Sequence, residues 1–123
     1  MANYDFLVEA LDPARLKAVA KKGVAGTGGP AIPLPDGTSV TRDVIASALE
    51  GVLAAGTANC GRLVQALSDQ RVHIRYGALF ALRRITGVTE ADFYPFQAPD
   101  SPRNIEAIGR WKERCDRFSS DTR

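Results

Sequence analysis

Apolar residues recur every three or four positions through most of this chain, which is the spacing of one face of an α-helix. The clearest run is 63–87, where two amphipathic segments are separated by a turn of only a few residues. A helix pair of this kind cannot bury its own apolar face and needs neighbours stacked on both sides. The pattern therefore predicts an all-α fold built from helical hairpins.

Capping residues and breaks in the pattern divide the chain into about six predicted helices. Asp12-Pro13 and Ser101-Pro102 each place a capping residue before a proline, which fits the first helical position. Asn3 is a further predicted cap, as is either Thr41 or Ser39, and no stretch alternates convincingly as a β-strand. The predicted helices lie at 3–11, 13–22, 41–55, 58–68, 70–85 and 103–118.

Two irregular segments are too long to pass as simple turns. Segment 23–40 is rich in glycine and proline, and 87–102 contains an aromatic cluster. Loops of this length in a compact domain are either functional or mobile. For 23–40 we favour a surface linker over a ligand-contacting loop, with Ile32 and Leu34 holding it to the surface. Its glycine tract lacks the lysine and the preceding strand of a phosphate-binding loop.

Segment 63–87 resembles one HEAT repeat. The resemblance implies a small right-handed stack of hairpins that serves as a scaffold for binding. It also implies structural roles for Asp69, which would accept hydrogen bonds near the start of the second helix, and for Arg75. The matching positions are Leu63, Val64 and Leu67 on the first helix, Asp69 at the turn, Arg75 on the second helix, and Ala78, Leu79 and Leu82 leading into Ile85-Thr86-Gly87.

The last third of the chain is similar to the end of many bacterial HEAT-like proteins, in which an aromatic loop leads into a final helix bearing a tryptophan. Here the loop is Phe93-Tyr94-Pro95-Phe96. The resemblance implies that helix 103–118 caps the stack. Helical spacing places its large apolar residues on one side, facing the core: Ile105, Ile108, Trp111, Cys115 and Phe118.

Composition places the chain among ordinary soluble domains. Apolar residues make up 45% and charged residues 24% of the 123 residues. These values favour a single helical domain that spans residues 1–123. No apolar run is long enough for a membrane span. The first residues are acidic where a signal peptide would be basic, so we expect a cytoplasmic protein.

The two cysteines, Cys60 and Cys115, do not form a paired motif of the kind that binds metal or performs redox chemistry. Because a protein without export signals usually keeps its thiols reduced, we expect two buried thiols, with a disulfide as the alternative. The net charge of +2 is too small to indicate a dedicated nucleic-acid binder. Neither a cofactor nor a metal is predicted.

A second face of helix 70–85 provides the candidate site. Stepping by 100° per residue puts Ile74, Ala78, Ala81, Leu82 and Ile85 on the core side. Aromatic side chains on the opposite face need an explanation. One explanation is that segment 93–96 or the last helix covers them. The other is that they form a binding face, since aromatic and arginine residues dominate interface energetics. The candidate partner-binding residues are His73, Tyr76, Phe80, Arg83 and Arg84.

A protein partner that docks in a groove between helices is the favoured function. An immunity or antitoxin-like inhibitor is one version, and a homodimer would also hide the face. The first alternative is nucleic acid, with Tyr76 for stacking and phosphate contacts from Arg71, Arg83, Arg84, Arg103, Arg110 and Arg114. Catalysis is less favoured, because His73 and Cys60 have no third group to orient them.

Overall fold

The computed structural model describes residues 4–22, 31–88 and 93–121, and most of these residues are helical. The prediction of a mainly helical fold is confirmed. None of the described helices is long and apolar enough to cross a membrane. Asn3 and the glycine tract 26–29 lie outside the described residues. The helices are α1 (Asp5–Ala10), α2 (Pro13–Lys21), α3 (Arg42–Ala48), α4 (Glu50–Ala54), α5 (Cys60–Ala66), α6 (Val72–Thr86) and α7 (Pro102–Asp121), with a 3-10 turn at Gly56–Asn59 before α5.

A small β-hairpin corrects the prediction that the chain contains no strand. Strands β1 (Ile32–Pro33) and β2 (Ser39–Val40) pair antiparallel. In the turn between them, the Thr38 N–H donates to Asp36 Oδ1 at 3.0 Å, and Gly37 takes a φ of 88°. Two-residue strands are too short for an alternating pattern to stand out in the sequence.

The hairpin is held against the helices by both apolar and polar contacts. Ile32 and Leu34 are buried in the core, as the sequence predicts for residues that pin this segment down. Asp36 forms an ion pair with Lys17 on α2. The second half of segment 23–40 is therefore an ordered part of the fold.

The helix predicted at 41–55 is interrupted at Leu49, between α3 and α4. Leu49 has φ −92° and ψ 3°, outside the helical range. The side chain of Arg15 donates to the Ala48 carbonyl at 3.3 Å, which gives that carbonyl a partner outside the helix. The single predicted helix is thus two short ones that meet at Leu49, next to the contact from α2.

Helix α6 lies at the centre of the fold. It packs against α5, α1, α3, α4 and β1, so it is covered on more sides than a single apolar arc requires. The helix ends at Gly87, which takes the left-handed conformation with φ 75°. The sequence predicts that only one face of this helix is buried, and the structure buries residues on further faces as well. Its buried residues are His73, Ile74, Arg75, Gly77, Ala78, Leu79, Ala81 and Leu82.

Gly77 is the position at which α6 approaches the end of α1 most closely. A Cβ atom added at Gly77 would overlap Leu11 Cδ1 and lie 3.5 Å from Leu11 Cγ. Leu11 is itself completely buried, so its side chain cannot swing into solvent. The glycine therefore allows close packing against a side chain of the core.

We expect Gly77→Ala to lower the free energy of unfolding by about 1 kcal/mol. Overpacking a core costs ~1–3 kcal/mol, and the gain of ~1 kcal/mol in helix propensity offsets only part of that. Gly61→Ala on α5 is the matched control, because no atom lies within 4 Å of an added Cβ there. That control should stabilise the protein. Equal stabilisation of both variants in urea titrations would contradict the close approach.

Helix α7 is joined to α5 by a disulfide between Cys60 and Cys115, whose Cα atoms are 5.5 Å apart. The prediction of two buried thiols is wrong, because both sulfurs are bonded. Helix α7 buries Trp111 completely but leaves Ile105, which the sequence places in the core, 58% exposed. The side chain of Phe118, also predicted to face the core, is not among the side chains that the structure describes.

Candidate functional site

Four of the five candidate partner-binding residues lie beside one cleft, and the fifth does not. Tyr76, Phe80 and Arg83 are half-buried and Arg84 is exposed. All four line the same cleft next to α6. His73 is on another side of the helix, away from the residues that line the cleft.

His73 is part of the core, so its predicted place on an exposed face is wrong. The side chain is 2% exposed. Burial, reinforced by the positive charge of Arg71, lowers the pKa of His73 below its ordinary value, while a hydrogen bond with the backbone of Leu11 acts in the opposite direction. Helical stepping misplaces this residue because the end of α1 covers a side of α6 that the pattern leaves to solvent.

The cleft lies between α6 and segment 93–96 and has a volume of ≈ 500 Å³. This volume is within the range of clefts that bind ligands or peptide side chains. Arginines contribute the only charged side chains among the described residues that line it. The lining residues are Arg42, Tyr76, Leu79, Phe80, Arg83, Arg84, Phe93, Tyr94, Pro95 and Phe96.

Segment 93–96 forms a second wall of the cleft without sealing it. The rings of Tyr76 and Phe96 are 5.9 Å apart at an angle of 56°, which is a favourable tilted contact. Phe96 nevertheless remains 47% exposed and Tyr94 36% exposed. From the sequence, this segment could either cover the aromatic residues of α6 or leave them as a binding face. In the structure, segment 93–96 flanks these residues and an open cleft remains between them.

Two arginines stack on aromatic rings at the rim. The guanidinium carbon of Arg84 lies 5.2 Å from the centroid of the Phe80 ring, and that of Arg103 lies 4.7 Å from the centroid of the Tyr94 ring. Cation–π contacts of this kind hold a long side chain in place while its charge stays near water. The rim therefore carries positive charge at fixed positions.

Arg75 fixes one point of segment 93–96. Its Nε donates to the Pro95 carbonyl at 3.0 Å, and its Nη1 donates to the Asp69 carbonyl at 2.8 Å. The side chain is buried, so these two bonds replace the water that the guanidinium loses. The structural role expected for Arg75 is therefore found, and it includes the positioning of the cleft wall.

Asn104 on α7 fixes the same segment at two further points, and sequence reasoning misses it. The Tyr94 N–H donates to Asn104 Oδ1 at 2.8 Å, while Asn104 Nδ2 donates to the carbonyls of Tyr94 at 2.9 Å and Ala98 at 3.0 Å. Asn104 is completely buried. The available signal is an asparagine in the first turn of a helix, because an amide side chain there can bond to nearby backbone groups.

Asp69 organises the turn between α5 and α6. It accepts hydrogen bonds from the Arg71 N–H at 2.8 Å, from Arg71 Nε at 2.9 Å and from the Tyr4 hydroxyl at 2.8 Å. Burial alone would raise the pKa of Asp69, but these bonds outweigh it and lower the pKa to about 2. The structural role expected for Asp69 is found, and Asp69 also binds Tyr4, the residue that precedes α1.

The lowered pKa of Asp69 predicts a loss of stability in acid. The carboxylate titrates near 4 when the chain is unfolded, so its contribution is complete above about pH 4 and is lost as the pH falls towards 2. We expect a loss on the order of 1 kcal/mol, because Arg71 is partly exposed and solvent screens the pair.

The measurement is the free energy of unfolding between pH 5 and pH 2, compared with Asp69→Asn. The difference between wild type and the variant isolates Asp69 from the other carboxylates. If that difference is constant across the range, the hydrogen bonds do not depend on the charged form.

The residues that the sequence offers for catalysis do not come together in a reactive form. Cys60 is bonded to Cys115, so its sulfur is not a thiolate. His73 is buried and its Nδ1 has no hydrogen-bond partner among the described residues. In the described ranges no three His, Cys, Asp or Glu side chains are grouped to hold a metal ion.

Comparison with known proteins found no significant match to a protein-family description, a curated protein or a solved structure. The functional proposal is therefore built on the geometry of the cleft.

Proposed function

We propose that this protein is a non-catalytic binding module that receives a segment of a protein partner in the cleft between α6 and segment 93–96. The observation that carries the proposal is the combination of aromatic and arginine side chains on two walls of one open cleft. These residue types provide most of the binding energy at protein interfaces. Leu79 and Phe93 are nearly buried and give the cleft an apolar floor.

The HEAT-like arrangement belongs to the same proposal. Helices α5 and α6 pack directly against each other, and the turn between them is held by Asp69. Both features are expected of one repeat in a right-handed stack of hairpins. A stack of this kind presents grooves between helices, which suits a scaffold that binds an extended or helical segment.

The state of the arginines favours a protein partner over nucleic acid. Two of the six proposed phosphate contacts already pair with carboxylates: Arg71 with Asp69, and Arg110 with Glu106, each at 2.8 Å or less. A surface that binds a nucleic-acid backbone needs several cations free of such neighbours. The arginines that line the cleft lie beside aromatic and aliphatic side chains, as is typical of a protein-binding surface.

The disulfide between Cys60 and Cys115 argues against the cytoplasmic location predicted from the sequence. Disulfides are rare in the reducing cytosol and persist in oxidising compartments. The proposed binding function does not depend on the compartment, because the cleft is built by α6 and segment 93–96.

Affinity capture with a cleft variant tests the function. We expect wild type, immobilised and exposed to nuclease-treated native lysate, to retain a protein that Phe96→Ala loses. Phe96 is exposed, so its truncation should reduce binding by at least about fivefold without unfolding the chain.

Ile105→Ala is the matched control, since Ile105 is an exposed large apolar residue outside the lining of this cleft. It should retain the partner. Equal retention by both variants, or equal loss from both, would place the binding surface elsewhere. A protein retained from untreated lysate but absent when the lysate is treated with nuclease would instead indicate nucleic acid.

A further inference from the structure

We infer that the segment bound by the cleft is an acidic peptide segment that carries an aromatic or large aliphatic side chain. This inference rests on the proposed function and specifies the chemistry of the partner. It follows from the charge, the floor and the rim of the cleft taken together.

All the charged side chains among the described residues that line the cleft are positive. Arg42 is the first residue of α3, and Arg83 and Arg84 are near the end of α6, yet all three line the same space. The charges of Arg42 and Arg83 both act on the hydroxyl of Tyr76 and oppose the rise in pKa that its burial causes; Asp43 acts more weakly in the other direction. Arginines from two different elements therefore line the same cleft as Tyr76.

These arginines belong to a chain whose net charge is only +2. The local excess is thus a property of the cleft and is not inherited from a generally basic surface. A carboxylate placed between guanidinium groups forms charge-assisted hydrogen bonds, which are the stronger class. An acidic segment complements this arrangement.

The floor of the cleft requires an apolar group from the same partner. Leu79 and Phe93 close its base, and the rings of Phe80 and Phe96 stand at its sides. A ligand with carboxylates alone would leave this apolar surface in contact with water. An aromatic or large aliphatic anchor would bury it and contribute the larger share of the binding energy.

A second copy of this chain fits the cleft poorly. Two-fold pairing of this face with itself would bring Arg42, Arg83 and Arg84 towards the same residues of the other copy. Juxtaposed like charges disfavour such an interface. The charge pattern therefore favours a different, acidic partner.

The test is selection of a random peptide library displayed on phage against the immobilised full-length protein. Enriched peptides are synthesised and their dissociation constants measured by fluorescence anisotropy at low and high salt. We expect the enriched peptides to carry net negative charge and an aromatic or large aliphatic residue. Their binding should weaken as salt rises, because the charges of the rim are exposed.

Arg42→Glu combined with Arg84→Glu should raise the dissociation constant of these peptides by at least about tenfold. The matched control is Lys112→Glu combined with Arg117→Glu, which changes the net charge equally at exposed positions of α7. The control should bind as wild type does. Circular dichroism shows whether the cleft variant folds. If it does not, the net charge of the enriched peptides and the salt dependence of their binding to wild type test the inferred acidic partner.

Each contrary outcome has a distinct meaning. Enriched peptides that are neutral or basic but lose binding to Phe96→Ala would overturn the inferred charge and leave the proposed function standing. Acidic peptides that bind Phe96→Ala and the Arg42→Glu, Arg84→Glu variant as tightly as wild type would overturn the inference and the assigned site together. The inference also fails when no peptide is enriched, or when a short single-stranded DNA binds more tightly than the selected peptides.

Discussion

Reduction of the disulfide between Cys60 and Cys115 should lower the free energy of unfolding by about 4 kcal/mol. The bridge closes a loop of 55 residues, and the loss of loop-closure entropy in the unfolded chain scales with the logarithm of that length. A domain of this size is stabilised by only ~5–15 kcal/mol, so a large part of its stability depends on this bond. Urea unfolding with and without a reducing agent measures the effect.

Cys60→Ser combined with Cys115→Ser controls for effects of the reductant itself. The double variant should match the reduced wild type and should not respond to reduction. Helix α7 supplies Asn104 to the cleft wall. In both the reduced wild type and the double variant, the amides of segment 93–98 should therefore be less protected from hydrogen exchange than in the oxidised wild type. An unchanged unfolding midpoint would show that packing of Trp111 holds α7 in place without the bond.

The helices are the part of this fold that sequence patterns predict well, because their signals are local. Pro13 begins α2 and Gly87 ends α6 in the left-handed conformation. The hydroxyl of Ser101 accepts a hydrogen bond from the Asn104 N–H at 3.3 Å, as expected of a residue that caps α7. Each of these features depends on residues within one turn of the helix end.

The surroundings of each helix are not local, and the wrong predictions arise there. Periodicity shows which side chains of α6 share a face, but not that a second face is covered by the end of α1. His73 is buried for that reason, beside Leu11. Likewise, the disulfide depends on the packing of α7 against α5, which brings together two cysteines 55 residues apart.

The cleft shows the same division. Tyr76, Phe80, Arg83 and Arg84 are found from the sequence because they follow one another on a single helix. Arg42 reaches the same space from α3, and no helical pattern connects the two. A site formed by several elements is therefore predicted only as far as one element contributes to it.

Asn104→Ala should lower the free energy of unfolding by about 2 kcal/mol, the largest effect expected after that of the disulfide. Its side chain is completely buried and bonds to three backbone groups of segment 94–98. The two carbonyls also accept hydrogen bonds from the Gln97 and Ser101 N–H groups, so the Tyr94 N–H is the group that the substitution leaves without a partner. Leaving a buried polar group without a partner costs ~1–3 kcal/mol, and part of this cost is recovered as water enters. Thermal unfolding and urea titration both measure the loss.

Asn104→Asp separates the two kinds of hydrogen bond that this residue makes. The aspartate keeps the acceptor for the Tyr94 N–H but cannot donate to the carbonyls of Tyr94 and Ala98. It also brings a buried charge close to two carbonyl oxygens, so it should destabilise the protein at least as much as alanine does at neutral pH. Because a protonated aspartic acid regains one donor, the deficit should shrink in acid, whereas that of Asn104→Ala should not. If both variants keep wild-type stability and an intact cleft, segment 93–96 is held by Arg75 alone.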